Sequence, residues 1–255
     1  MQLKKLKSKK HNTQFDWLMA WEAQKVFAET EAGKRRAEYL TELAISRIPK
    51  GDCVYCWSGG KDAIALQCIC EKAGITACAL GSVGLRWEYP SFIDFVNKHK
   101  PAGLIIKDYG YTADFFNKNE NLLFPVDYKD NYYWFVHYIQ RTFKEFLKET
   151  GADYVILGHR RQDGNIVADG YMKQKVFPMY DFTHEDVFLL IAYNKKVLPY
   201  IYFYPNGFNL GTHPWTKRRG DDPLGELYEI DKNILLNNTE INKVRIFLEN
   251  KKELV

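Results

Sequence analysis

Apolar residues along this chain recur first at helical spacing and then as short continuous runs alternating with helical stretches. Between Thr13 and Ala32, Phe15, Leu18, Met19 and Val26 fall at helical intervals, with Thr13 as a cap. Gly33 separates this helix from a second over Lys34–Ile48, which puts Ala37, Leu40, Ala44 and Ile48 on one face and ends at Pro49-Lys50-Gly51. Cys53–Trp57 is then a compact apolar run, the mark of a buried strand. It leads through Ser58-Gly59-Gly60-Lys61-Asp62 into a helix whose Leu66, Ile69, Cys70 and Ala73 share a face. Thr76–Leu80, Leu104–Lys107 and Tyr154–Leu157 read as further strands. Ser91–His99, Thr112–Asn117 and the long amphipathic Tyr132–Glu149 read as helices. Thr183 and Asp186 have capping-box spacing for a helix through Tyr193, and Thr239–Glu249 aligns Ile241, Val244, Phe247 and Leu248. Strands alternating with helices predict an α/β fold of three layers: a mostly parallel, twisted sheet with helices on both faces.

The strand–turn–helix at Cys53–Cys70 carries the first chemical signal. Two glycines let a backbone approach a ligand closely. The free amides of the helix's first turn, backed by its dipole, form an anion site. Ser58 adds a hydroxyl, Lys61 a positive charge, and Asp62 a carboxylate able to hold a metal through its oxygens. The pattern is neither GxGxxG nor GxxxxGK[ST]. The turn Gly158-His159-Arg160-Arg161-Gln162-Asp163-Gly164 follows the strand at Tyr154–Leu157, so both turns fall at strand carboxyl ends, where ligands of parallel sheets bind.

Composition narrows the class. The 255 residues suffice for one sizeable core; 46% are hydrophobic, 27% charged and 15% aromatic. The chain has no apolar run of membrane-spanning length and no secretory h-region after its lysine-rich start, so a cytoplasmic protein without a membrane partner is expected. A net charge of +4 permits contact with nucleic acid without indicating it. All five cysteines lie between Cys53 and Cys78. Cys53 and Cys56 are three apart on a strand and face opposite ways, so the group reads as small buried hydrophobes, not as zinc ligands or disulfides.

Ser58–Asp62 resembles the pyrophosphate loop of the adenine nucleotide alpha-hydrolase superfamily. Over about Cys53 to Arg219, the order of segments is similar to that of the phosphoadenosine-phosphosulfate (PAPS) reductase family. Trp87-Glu88-Tyr89-Pro90 resembles its glutamate–aromatic–proline segment, and Gly158–Arg161 its arginine-bearing turn. Pro178–Val187 resembles its proline, aspartate, Thr-x-Glu-Asp-Val stretch, Leu198-Pro199-Tyr200 its Leu-Pro-Tyr, and Phe208–Arg219 its glycine-rich stretch ending in Thr-His and basic residues. The resemblance implies a helical extension over 1–50, a nucleotide-binding α/β domain over 51–204, and a basic loop and helix packing on that domain over 205–255. It also implies that Ala79, Leu80 and Gly81 receive adenine and that Glu88 helps place a ribose or metal. The expected ligands are ATP or another adenine nucleotide such as PAPS, with Mg2+, and no iron–sulfur cluster or zinc.

Three departures bear on chemistry. Reductases of this family are known for a catalytic cysteine near the C-terminus, whereas no cysteine follows Cys78 here; the iron–sulfur branch carries paired cysteines where Asn131, Tyr132 and Tyr133 stand. Ala63 replaces a frequent Ser or Thr. Reduction of a sulfonucleotide needs a thiolate, whereas cleaving ATP between the α and β phosphates needs positioning and charge neutralisation. The expected catalytic set is Lys61, Asp62, Arg160 and His213. Ser58, Gly59, Gly60, Gly158, Arg161, Lys217 and Arg218 bind phosphate, and Asp62 reaches phosphate-bound magnesium; His159 is a further acid–base candidate, equally readable as a hydrogen-bonded turn residue. Three functions follow: an ATP-cleaving enzyme that activates an unknown acceptor in small-molecule or nucleic-acid modification, a sulfonucleotide reductase, or a nucleotide-binding regulator acting with a protein partner. A homo-oligomer through the two leading helices is compatible with all three.

Overall fold

A computed structural model describes residues 16–203, apart from 86–87, 120–121 and 123–127, together with 208 and 212. The elements are α1 (Trp17–Glu29), α2 (Glu31–Ser46), β1 (Cys53–Cys56), α3 (Lys61–Lys72), β2 (Cys78–Ser82), α4 (Pro90–His99), β3 (Leu104–Asp108), α5 (Ala113–Lys118) and α6 (Tyr128–Trp134). A π-helical segment (Phe135–Gln140) leads into α7 (Arg141–Thr150), followed by β4 (Tyr154–Ile156), β5 (Tyr171–Met172), β6 (Lys175–Val176), α8 (His184–Tyr193) and a 3-10 turn (Tyr200–Phe203).

The strands form one six-stranded sheet in the order β3-β2-β1-β4-β6-β5, parallel except for β5. Side chains alternate across it as the two-residue period requires. Tyr55, Cys78, Leu80 and Ile156 enter the core beneath α3 and α8, while Val54, Ala79, Val155 and Leu157 pack against Phe143 and Phe146 of α7. Both faces are therefore covered over the central strands, and β1, β2 and β4 are mainly apolar, as a buried parallel sheet demands, whereas β3 ends in Lys107 and Asp108. Cys53 and Cys56 fall on opposite faces. The short β5–β6 hairpin was not apparent in the apolar pattern because its strands have only two residues each.

The N-terminal helices pack on α8, and Trp21, Ala28 and Leu40 join the core that holds Tyr55. Fully burying a side chain such as Leu40 contributes about 1.5–3 kcal/mol. Three sequence expectations change here. The first helix is capped by Asp16, whose carboxylate accepts from the Met19 amide at 2.9 Å; Thr13 lies outside the described residues. The face of α1 turned inward carries Trp21 and Ala28, whereas Leu18, Met19 and Val26 are exposed. The break comes at Thr30, which caps α2, and Gly33 sits inside that helix, where a Cβ would lie 1.8 Å from the Phe27 carbonyl oxygen, so the position requires glycine. Helix α3 is buried nearly all round, from Lys61 to Cys70.

The long helix expected over Tyr132–Glu149 is interrupted by the π segment. Its buried residues Trp134, Tyr138, Thr142 and Phe146 recur every four positions. Three such steps exceed three turns of an ideal helix by roughly one residue, and a π turn absorbs that excess. The device keeps one stripe facing the sheet past the ends of β1 and β2.

Candidate functional site

The chain runs from β1 to β2 and β3 on one side and returns through β4 on the other, so the connections diverge between β1 and β4. Such a switch point opens a crevice beyond the strand carboxyl ends. A cavity of about 340 Å³ lies there. Its walls are Ser58, Asp62 and Ala63 from the turn after β1; Ala79, Leu80 and Gly81 from β2; Leu157, Gly158, His159, Asp163 and Asn165 after β4; and Tyr138, Ile139, Thr142 and Phe143 from the helical segments above, with Cys56 and Trp57 at the base.

The turn after β1 is held in a narrow slot. Gly59 has φ 67°, and a Cβ there would meet the Phe92 ring at 2.7 Å, so only glycine fits without strain. The Lys61 amide, first of α3, donates to the Tyr202 hydroxyl at 3.0 Å. The amides of Ser58, Gly59 and Gly60 make no hydrogen bond among the described residues. Three donors at a helix start are thus available to an anion. At the far wall, the Tyr138 hydroxyl donates to the Gly81 carbonyl at 2.9 Å, and Thr142 Oγ1 donates to the Tyr138 carbonyl at 2.8 Å.

Beneath the turn lies a buried charge cluster. The Arg160 guanidinium is fully excluded from solvent, 2.8 Å from Asp62 and 3.0 Å from Asp163. It also donates to the Phe182 carbonyl at 3.1 Å and lies 2.9 Å from His184 Nδ1. Arginine can only donate, so Nδ1 accepts and the imidazole is neutral with its proton on Nε2. Lys61 Nζ lies 2.8 Å from Asp62, 3.8 Å from Asp163 and 5.6 Å from the centre of the Trp17 ring. Burial holds the Lys61 ammonium below its ordinary value against the pull of Asp62. Burial, then Lys61 and Arg160, push His184 down to about 3. Two cations and two carboxylates compensate one another, as buried charges must.

The expected site residues therefore divide. Ser58, Asp62, Ala79, Leu80, Gly81, Gly158 and His159 line the cavity, and Gly59 and Gly60 form the turn at its edge. Lys61 and Arg160, expected to touch phosphate, point into the cluster below instead, because the two carboxylates claim them. Arg161 turns outward to Asp169 at 2.6 Å and stacks 4.8 Å from Tyr180. Glu88 is buried behind β2, where it accepts from Ser82 Oγ at 3.0 Å. His213, Lys217 and Arg218 lie outside the described residues. Sequence reasoning missed Asp163, Asn165, Tyr138 and Thr142; Asp163 was legible as the acid three positions after Arg160, in the same turn.

Among the described residues no cluster of three metal-binding side chains occurs. Asp62 and Asp163 are the carboxylates on the cavity wall, and both are engaged by Arg160 and Lys61. The donor set does not suit a resident magnesium ion. Every thiol is pushed upward by burial, Cys68 to about 12 and Cys78 to about 11, including Cys56 on the cavity wall. No helix of the described residues is long and apolar enough to cross a membrane.

The mostly parallel sheet with helices on both faces, and a glycine turn at the carboxyl end of β1, define an α/β protein with a crevice at its switch point. More narrowly, the chain belongs to the phosphoadenosine phosphosulfate reductase domain family, whose model matches residues 52–217. Among solved structures it is similar to a PAPS reductase from Candida auris in complex with phosphate, with 17% identity and a TM-score of 0.47 over 75% of this chain and 94% of that one. It is also similar to the U34-tRNA thiolase NcsA from Methanococcus maripaludis with its [4Fe-4S] cluster, with 12% identity and a TM-score of 0.44 over 85% of this chain and 80% of that one. Comparison with curated proteins found no match.

Proposed function

We propose that the cavity binds ATP and that the protein cleaves it between the α and β phosphates, transferring the adenylyl group to an acceptor. The observation that carries this reading is the set of unengaged amides at Ser58–Gly60 beside a cavity whose cysteine is held as a thiol. The base lies toward Ala79–Gly81 and the β and γ phosphates toward the turn. An acceptor hydroxyl attacks the α-phosphorus; the bond to the bridging oxygen breaks, and pyrophosphate leaves with that electron pair. The amides and the start of α3 stabilise the charge that gathers on the leaving group. We assign His159 the acceptor's proton. Magnesium would arrive with the nucleotide's phosphates, where it would neutralise part of their charge.

Lys61 and Arg160 serve this reading indirectly, by fixing Asp62 and Asp163 at the cavity wall. A sulfonucleotide reductase, the activity the family name suggests, needs a thiolate that the burial of these five cysteines disfavours. Incubation with ATP and candidate acceptors, with pyrophosphate measured, tests the reading: acceptor-dependent pyrophosphate is expected. Sulfite release from PAPS in the presence of a thiol reductant, without pyrophosphate release from ATP, would overturn it.

A further inference from the structure

The acceptor's nature is addressed by the outer side of the helix that roofs the cavity. Lys175 of β6 lies with its ammonium 5.5 Å from the centre of the Phe143 ring, part of the cavity wall, and 5.8 Å from that of Phe135. Burial, then repulsion from Lys144 and Lys173, hold that ammonium below its ordinary value. Lys144 stands beside Phe143 on α7, and Lys173 occupies the tight turn between β5 and β6 at φ 57°, a conformation that favours glycine or asparagine over lysine.

None of these three lysines has a carboxylate partner among the described residues. The acids of the same helix are engaged elsewhere, Glu145 with Arg141 and Glu149 with Lys107. Three like charges thus lie around Phe143 and the β5–β6 turn with no carboxylate partner among the described residues, an arrangement whose repulsion is relieved by a polyanion. Apolar surface adjoins them. Met172, the ladder partner of Lys175, is 40% exposed, and Tyr132, whose ring lies 6.2 Å from Phe135, is 51% exposed. Ammonium groups to follow a phosphate chain and rings to stack with unpaired bases are the elements of a single-strand site.

We propose that the Lys144–Lys173–Lys175 edge, with Tyr132 and Phe135, docks single-stranded nucleic acid and so presents the acceptor to the cavity. The docking surface stands on its own observations; only its role as acceptor rests on the ATP reading above.

Fluorescence anisotropy with labelled single strands of roughly 12 nucleotides tests it. The variant K144Q/K173Q/K175M removes the charges and keeps most of each side chain's length. It is expected to bind the strand at least about tenfold more weakly, with a salt slope lower by about 2, since each lost phosphate contact removes about 0.7. Its melting temperature and its binding of an ATP analogue stay at wild-type values. K144Q/K173Q, which spares the half-buried Lys175, gives an intermediate loss. Absence of strand binding by the wild type, equal binding by both variants, or equal preference for heparin would overturn the surface. Strand binding by a wild type that binds no ATP analogue would instead overturn the nucleotide reading and leave the surface standing.

Discussion

The Arg160 guanidinium lies 2.8 Å from the Asp62 carboxylate, entirely out of solvent, and so ties the turn after β4 to the first turn of α3. The same guanidinium holds Asp163 at 3.0 Å, which makes one side chain the link between two walls of the cavity. Its loss would remove the fully buried cation that both carboxylates share, leaving Lys61 at 2.8 Å from Asp62 and 3.8 Å from Asp163.

Replacing Arg160 with methionine is accordingly expected to cost about 3–5 kcal/mol of stability, the usual price of breaking one side of a buried ion pair. Arg160→Lys, which keeps the charge without the planar fork, recovers part of it. Urea denaturation of both variants checks this; a loss below about 1 kcal/mol in the methionine variant would show that the cluster does not hold the turn.

The pH dependence follows from His184. Its folded value, about 3, lies below the ordinary histidine value, chiefly because the ring is buried and secondarily because Lys61 and Arg160 are near. The unfolded chain therefore takes up a proton that the folded chain refuses. The stability this group permits is complete above about pH 6.5 and falls as the pH drops toward 3, at up to about 1.4 kcal/mol per pH unit. Between pH 6.5 and 5 the wild type should lose about 2 kcal/mol more than His184→Asn, which still accepts from Arg160 and does not titrate. Parallel slopes for the two proteins would contradict the neutral, buried imidazole.

The two glycines of the turn should separate folding from binding. Gly59→Ala places a Cβ against Phe92 at positive φ, with an expected cost of about 1–3 kcal/mol. At Gly60 a Cβ meets only the Tyr202 hydroxyl at 3.2 Å and Ser58 Oγ at 3.5 Å. Gly60→Leu, at an ordinary φ, is thus expected to lower the melting temperature less than Gly59→Ala while weakening nucleotide binding by about tenfold or more, measured by calorimetry.

Burial keeps the five thiols protonated, so slow labelling by a disulfide reagent at neutral pH is expected, with a marked increase on unfolding in urea. One rapidly modified cysteine in the native protein would revive a reductase chemistry.

Much of this arrangement was readable before any coordinates. Short apolar runs located β1 to β4, and the Thr183–Asp186 box was found as spaced, with Thr183 Oγ1 accepting from the Asp186 amide at 3.1 Å. Both glycine-bearing turns flank one cavity because parallel neighbours β1 and β4 end together. Side-chain direction was not readable. Lys61 and Arg160 look like phosphate ligands by type, yet Asp62 and Asp163 draw them beneath the turn, a competition that residue spacing does not rank. Tyr138 and Thr142 were hidden for a different reason: the π turn displaces them from the face that a regular helix would present.

The central claim is that the Ser58–Gly60 amides and the β2 end together hold an adenine nucleotide. Calorimetric titration of the wild type with α,β-methylene-ATP, beside Gly60→Leu, tests it most directly. Saturable one-site binding is expected for the wild type, and the variant is expected to lose it while still melting cooperatively. No measurable heat with the wild type, or equal affinity in the variant, would contradict it.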